Sequence, residues 1–207
     1  MNSKKYIREQ ILEERKGFDE YKFHVQNELI IENINIIVKS LYKDLISEEK
    51  RAVKFKTHNI EILDNSKIVG LYLPIKGEPD LTKIMLYNNW IFALPKIEDN
   101  KIKFVHYQLG AKLEKTAKSI MQPISDVNVQ PIIIIVPALA YSLQGYRLGF
   151  GSGHYDRYFA EPTDFDNKKP IIKIGVCFDK YLLEFLPTES HDIKFDYIVT
   201  DEIILKL

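Results

Sequence analysis

The sequence predicts a three-layer α/β/α domain with a mostly parallel or mixed sheet, spanning residues 1–207, and three observations lead there. Short stretches that are apolar throughout recur along the chain, as in strands covered on both faces. Helical periodicity fills the N-terminal part and returns between those stretches, the alternation expected of helices layered on a sheet. The 207 residues are 45% apolar and 28% charged, enough to bury a core without disulfide or metal staples.

Taken in order, residues 3–21 read as a helix with Ser3 as N-cap, Ile7, Ile11 and Phe18 on one face, and Gly17 weakening the last turn. A second helix over 25–46 follows from Leu29, Ile30, Ile34, Ile37, Val38, Leu41 and Leu45, although its isoleucines also suit a strand. The N-terminal helices thus occupy 3–46. Strands are expected at 68–73, closed by Pro74, and at 90–94, closed by Pro95. Residues 102–105 alternate, and 132–136 are five consecutive β-branched residues between Pro131 and Pro137. Residues 171–178 and 197–200 complete the strands. Helical stretches fit at 80–88, 110–118, 155–160 and 180–186, and the polar segment 161–170 reads as a surface loop.

Composition excludes several classes. Lysine plus arginine equals aspartate plus glutamate at 29 each, so the summed field favours neither nucleic acid nor a membrane surface. A lone cysteine, Cys177, excludes a disulfide framework and a four-thiolate zinc site. No apolar leader follows Met1, and the apolar run 132–141 falls far short of the roughly 20 residues of a spanning helix. A cytoplasmic monomer is expected.

The chemistry concentrates at Gly145-Tyr146-Arg147-Leu148-Gly149-Phe150-Gly151-Ser152-Gly153-His154-Tyr155-Asp156-Arg157. Glycines at every second position let the backbone adopt positive φ and approach a ligand closely. Their amides can form an anion nest, and a helix starting near His154 would add its N-terminal N–H groups. Arg147 and Arg157 bracket the loop with guanidinium forks suited to phosphate. The spacing matches neither GxxxxGK[ST] nor GxGxxG. A loop of this kind at the end of an open sheet's strand is a common place for a ligand.

Other candidates are thinner. Lys4 and Arg8 are a like-charged i, i+4 pair, which an anion would relieve, although Glu9, Glu13 and Glu14 lie close. Glu78, after an apolar strand, suits hydrogen bonding to an amine-bearing or pterin-like ligand or capping of the next helix, a role equally open to Asp80 and Thr82. Asp156 and Asp192 suit magnesium if the fold unites them. His191 suits either a base or a surface position, and Cys177, inside an apolar strand, suits packing.

Together these segments resemble the 5-formyltetrahydrofolate cyclo-ligase family, also called 5,10-methenyltetrahydrofolate synthetases. The matching pieces run from Lys4-Lys5-Tyr6-Ile7-Arg8 through Leu71–Glu78, Ala93–Lys96 and Val136–Tyr141. The loop Gly145–Arg157 is the specific part, followed by Gly175–Asp179, Leu186–Asp192 and Asp196–Thr200. Residues 20–65 lie outside the resemblance.

The resemblance implies a Rossmann-like α/β/α enzyme that couples ATP hydrolysis, with Mg2+, to closing 5-formyltetrahydrofolate into its 5,10-methenyl form. By position, Lys4, Lys5, Arg8 and the run Arg147, Leu148, Gly149, Phe150, Gly151, Ser152, Gly153, His154 and Tyr155 would bind ATP. Leu73 and Glu78, with Phe150, Gly151, Ser152, Gly153 and His154, would hold the folate, and Asp156 and Asp192 the magnesium. The chain departs from the family pattern at Ser152 (lysine or glycine), His154 (tyrosine), Gln122 (glutamate), Ser142 (aspartate) and Tyr181 (glutamine). The alternative is a diverged member that binds folate or nucleotide without turnover.

Overall fold

In the computed structural model the described residues are 3–17, 19–49, 68–75, 77–116, 120–160 and 171–207, with backbone alone for 45–49. The surface loop expected at 161–170, and Phe18, lie outside them. Helix α1 (Lys4–Glu14) begins where the sequence places it: the Ser3 hydroxyl accepts the Tyr6 N–H at 3.3 Å. It ends earlier than expected, in a 3-10 turn over Arg15–Gly17. Helix α2 (Glu20–Glu49) starts sooner than predicted because Asp19 accepts the Lys22 N–H at 3.1 Å as a cap. Ile30, Ile34, Val38 and Leu41 of α2 are buried, whereas Leu29 faces outward. No helix among the described residues is long and apolar enough to cross a membrane.

The main sheet contains β1 (Ile68–Gly70), β2 (Ile91–Glu98), β3 (Lys101–His106), β6 (Ile133–Pro137), β9 (Ile172–Val176), β11 (Tyr197–Val199) and β12 (Ile204–Lys206). Their order is β12-β11-β9-β6-β1-β2-β3. The five inner strands are parallel, and β3 and β12 pair antiparallel at the edges. Each segment expected as a strand is found as one.

Register shows that helices cover both faces. Side chains alternate along β2, so Phe92 and Pro95 point to opposite sides. Trp90 touches both Phe92 and Tyr42 of α2. Opposite Pro95 stands Phe104, whose ring lies 5.3 Å from Tyr158 of helix α4 (His154–Ala160). Hence α2 and α4 lie on opposite faces, and the arrangement is three-layered.

Two expected helices are replaced. Residues 110–118 contain β4 (Leu113–Lys115), which pairs with β5 (Met121–Pro123). With Leu113 the one apolar side chain larger than alanine in that stretch, helix-forming residue types had no face to bury, and cross-strand pairing prevailed. Residues 180–186 form a 3-10 turn and β10 (Leu182–Leu183), which joins β7 (Ala140–Ser142) and β8 (Arg147–Leu148) in a small second sheet. The short α3 (Ile84–Tyr87) lies within the predicted 80–88.

Candidate functional site

The inner strands have the doubly wound order 2-1-3-4-5, which places the switch point between β1 and β6. Chains leaving these strands diverge, opening a crevice at their carboxyl ends. A cavity of about 540 Å3 lies there, bordered by Tyr72, Leu73, Ile75 and Glu78 after β1 and by Pro137 at the end of β6.

Strand β2 helps to open it. Pro95 was expected to end this strand, yet β2 runs through to Glu98. The Ala93 carbonyl still accepts from Leu71 N–H at 2.8 Å, but β1 has ended by then. Beyond that point Pro95 has no N–H to leave unsatisfied, and the Ile97 N–H is taken by Gln122 Oε1 at 3.0 Å. Pro95, Ile97 and Ile102 therefore form an apolar wall on the α4 side, closed by Ile120, Met121 and Gln122.

The glycine loop lies across the cavity. Gly151 and Gly153 take φ of +100° and +64°, the left-handed region that disfavours other residues. Gly149 does not, contrary to the expectation for all three; a Cβ there would meet the Arg147 guanidinium carbon at an ordinary 3.5 Å. Among the described residues no acceptor takes the N–H of Gly151 or Ser152, which leaves both for a ligand.

Three cations, Lys4, Arg8 and Arg147, border the same cavity as this loop. Arg8 Nε donates to Gly149 O at 2.8 Å, tying α1 to a segment 141 residues away. Arg147, 8% exposed, donates to Asp156 Oδ2 at 2.7 Å and lies 5.2 Å from the Tyr155 ring centre. Its buried Nε has no hydrogen-bond partner, an orphaned charged donor at the cavity wall. Lys4 Nζ donates to both oxygens of Asp192, at 2.8 and 2.6 Å. Burial opposes ionisation of Asp192, but Lys4 and the Glu189 N–H hold its carboxyl below its usual range.

Glu78 provides the contrasting charge. It is 4% exposed, and burial pushes its carboxyl up to about 7 against the pull of the Ile75 N–H and of Arg15 and Arg147. The alternative role, capping the next helical turn, belongs to Asp80, which accepts the Thr82 N–H at 2.9 Å. Burial likewise pushes the phenols of Tyr72 and Tyr155 up, so both stay neutral donors.

The cavity thus gathers Lys4, Arg8, Leu73, Glu78, Arg147, Gly149 to Tyr155, Asp156 and Asp192. Two predicted residues stand apart: Lys5 is exposed, and Leu148 is buried in β8. Arg157 is also outside, donating to Asn100 O at 3.2 Å across the β2–β3 turn, where His154 Nδ1 also lies 3.1 Å from the same oxygen. His154, which borders the cavity, is therefore held by its ring against the turn. Ser142 forms the β7–β8 turn, with its hydroxyl accepting the Tyr146 N–H at 3.3 Å. Cys177 is buried in the core, and burial pushes its thiol up, as a packing residue requires. Unforeseen were Tyr72, Glu189 and the apolar wall; only paired strands reveal which apolar side chains border a gap.

As for a metal, the described residues contain no cluster of three histidine, cysteine or acidic side chains. Asp156 and Asp192, both on the cavity and both now paired with cations, fit an ion that takes its other ligands from phosphate and water.

Residues 1–201 match the model of the 5-formyltetrahydrofolate cyclo-ligase family. The chain belongs to this family. It is similar to a 5-formyltetrahydrofolate cyclo-ligase of Saccharomyces cerevisiae, 22% identical over 83% of this chain and 93% of the yeast protein. It is also similar to that of Mycoplasma pneumoniae, at 30% identity over 66% of this chain and 74% of the relative. The solved structure of Aquifex aeolicus 5,10-methenyltetrahydrofolate synthetase superposes with a TM-score of 0.71 at 30% identity, covering 98% of this chain and 92% of that one. The cavity lies at the switch point of the sheet, where open α/β sheets commonly bind ligands.

Proposed function

We propose that this chain converts 5-formyltetrahydrofolate into 5,10-methenyltetrahydrofolate, with ATP taken up as its magnesium complex and ADP and phosphate released. One observation carries the reading: a single cavity is bordered by Lys4, Arg8, Arg147 and the glycine loop and also by a buried carboxylate and an apolar wall.

Lys4, Arg8 and Arg147, with the free amides of Gly151 and Ser152, would hold the triphosphate and neutralise charge on the transferring group. The partnerless Arg147 Nε would donate to a phosphate oxygen. Pro95, Ile97, Ile102 and Leu73 would pack against the flat pterin, and ionised Glu78 would accept from its N–H groups. Held so, the formyl oxygen attacks the γ-phosphorus and ADP leaves. The second folate nitrogen then attacks the activated carbon, loses its proton, and phosphate departs with the oxygen. The protein's share is to align two substrates and exclude water. Asp156 and Asp192 would hold magnesium, which supplies charge neutralisation to the phosphates when bound.

The test is ADP release. ADP should form only when ATP and 5-formyltetrahydrofolate are both present; equal ADP release without the folate would refute the coupling.

A further inference from the structure

Four charges on the cavity wall are arranged as two closed pairs. Lys4, in the first turn of α1, donates to Oδ1 and Oδ2 of Asp192 at 2.8 and 2.6 Å. Asp192 Oδ2 also accepts the Glu189 N–H at 2.7 Å, so its own turn holds this carboxylate in place independently of Lys4. Arg147, from β8, donates to Oδ2 of Asp156, in the first turn of α4, at 2.7 Å. Side-chain exposure is 16% for Lys4, 11% for Asp192, 8% for Arg147 and 24% for Asp156, so solvent screens neither pair well.

We propose that Lys4 and Arg147 are exchangeable counterions. They neutralise Asp192 and Asp156 before substrate arrives and pass to the phosphates as those carboxylates pass to magnesium, so the site refuses the free metal and takes it with the nucleotide. The proposal rests on the ATP reading above and deepens it, adding selection against metal alone.

The contacts favour such an exchange. A carboxylate offers roughly four acceptor positions, and at Asp192 two bonds from Lys4 and one from Glu189 already use three of them. A divalent cation arriving alone would also meet the Lys4 ammonium at close range, and like charges there repel. Metal and triphosphate arriving together supply an anion for each displaced cation and a cation for each released carboxylate, so no charge is left buried without a partner. Arg147 points the same way: its Nε is buried with no hydrogen-bond partner although the same guanidinium holds Asp156, so moving to phosphate would satisfy a donor that the carboxylate leaves unmet.

The experiment measures metal and nucleotide separately. Mn2+, which favours the same oxygen donors, is the metal probe, its free fraction read by electron paramagnetic resonance with no nucleotide present. Lys4→Met removes the ammonium and leaves Asp192 on the Glu189 N–H, so it should bind Mn2+ about fivefold more tightly than wild type, or better. The same variant should bind ATP several-fold more weakly by calorimetry in EDTA. Opposite signs for the two ligands mark an exchanged counterion, since a merely structural Lys4 would weaken both. Adding Asp192→Asn should abolish the Mn2+ gain. Where Lys4→Met does not fold, Lys4→Gln carries the same test. Mn2+ affinity unchanged or lowered in a variant that folds, a gain that survives Asp192→Asn, or unchanged ATP affinity would overturn the proposal. Neither measurement needs folate or turnover, so both judge the exchange separately from the cyclo-ligase reading.

Discussion

Replacing Glu78 by glutamine should stabilise the ligand-free protein and remove its folate affinity, and the size of the first effect follows from the site. Burial raises the Glu78 carboxyl from 4.5 to about 7 in the folded chain. A group whose folded value is raised stabilises the fold relative to its ionised form below the unfolded value. That contribution is lost as pH climbs through the window from 4.5 to about 7. Each pH unit of that window corresponds to about 1.4 kcal/mol, so the ionised carboxylate costs the native state about 3 kcal/mol above pH 7. Glutamine keeps an acceptor for the Ile75 N–H and carries no charge. At pH 8 Glu78→Gln should therefore be about 2–3 kcal/mol more stable, roughly 5–10 °C in Tm. At pH 5 the gain should shrink to under about 1 kcal/mol. Urea unfolding followed through the single tryptophan, Trp90, at both pH values measures this directly. A variant no more stable than wild type at pH 8, or one with the same gain at both pH values, would refute the buried-charge argument.

Other consequences follow from the same contacts. Arg147→Met should fold normally yet raise the KM for ATP and lower kcat/KM by about 2 kcal/mol, roughly thirtyfold, as loss of charge-assisted bonds does; unchanged steady-state constants would remove Arg147 from the phosphate site. Gly153→Val forces a β-branched residue to φ +64° with its Cβ 3.0 Å from Arg157, so nucleotide affinity measured by calorimetry should fall more than folate affinity. Gln122→Glu would set a second carboxylate against Glu114, which now accepts the Gln122 amide at 2.9 Å. Its stability loss at pH 7 should disappear when Glu114→Gln is added, and a loss that survives the double variant would show that the pair is not the cause.

The glycine loop was legible in the sequence because its requirements are local. Positive φ at Gly151 and Gly153 and the arginine of β8 are written within nine residues. The parallel strands were legible for a similar reason, since stretches apolar on both faces have few other uses. What escaped depended on distance in sequence. Nothing near Lys4 announces Asp192, 188 residues on, and the bond from Arg8 to Gly149 turns a solvated-looking pair into part of the cradle. The choice at Glu78 between cap and ligand turned on Asp80, which takes the capping role only once Asn27 Oδ1 accepts the Asp80 N–H and fixes that turn. Residues 110–118 and 180–186 were read from local preference, and pairing with β5 and β7 overrode it.

The central claim is that one cavity joins ATP to 5-formyltetrahydrofolate and closes the folate ring. The most direct measurement is the near-ultraviolet absorbance of methenyltetrahydrofolate, followed with purified protein, magnesium, ATP and 5-formyltetrahydrofolate, and again with ATP omitted. Absorbance that grows only with ATP, and that Arg147→Met and Glu78→Gln each suppress, is the predicted result. No growth with both substrates bound, or growth that both variants leave intact, would contradict the account.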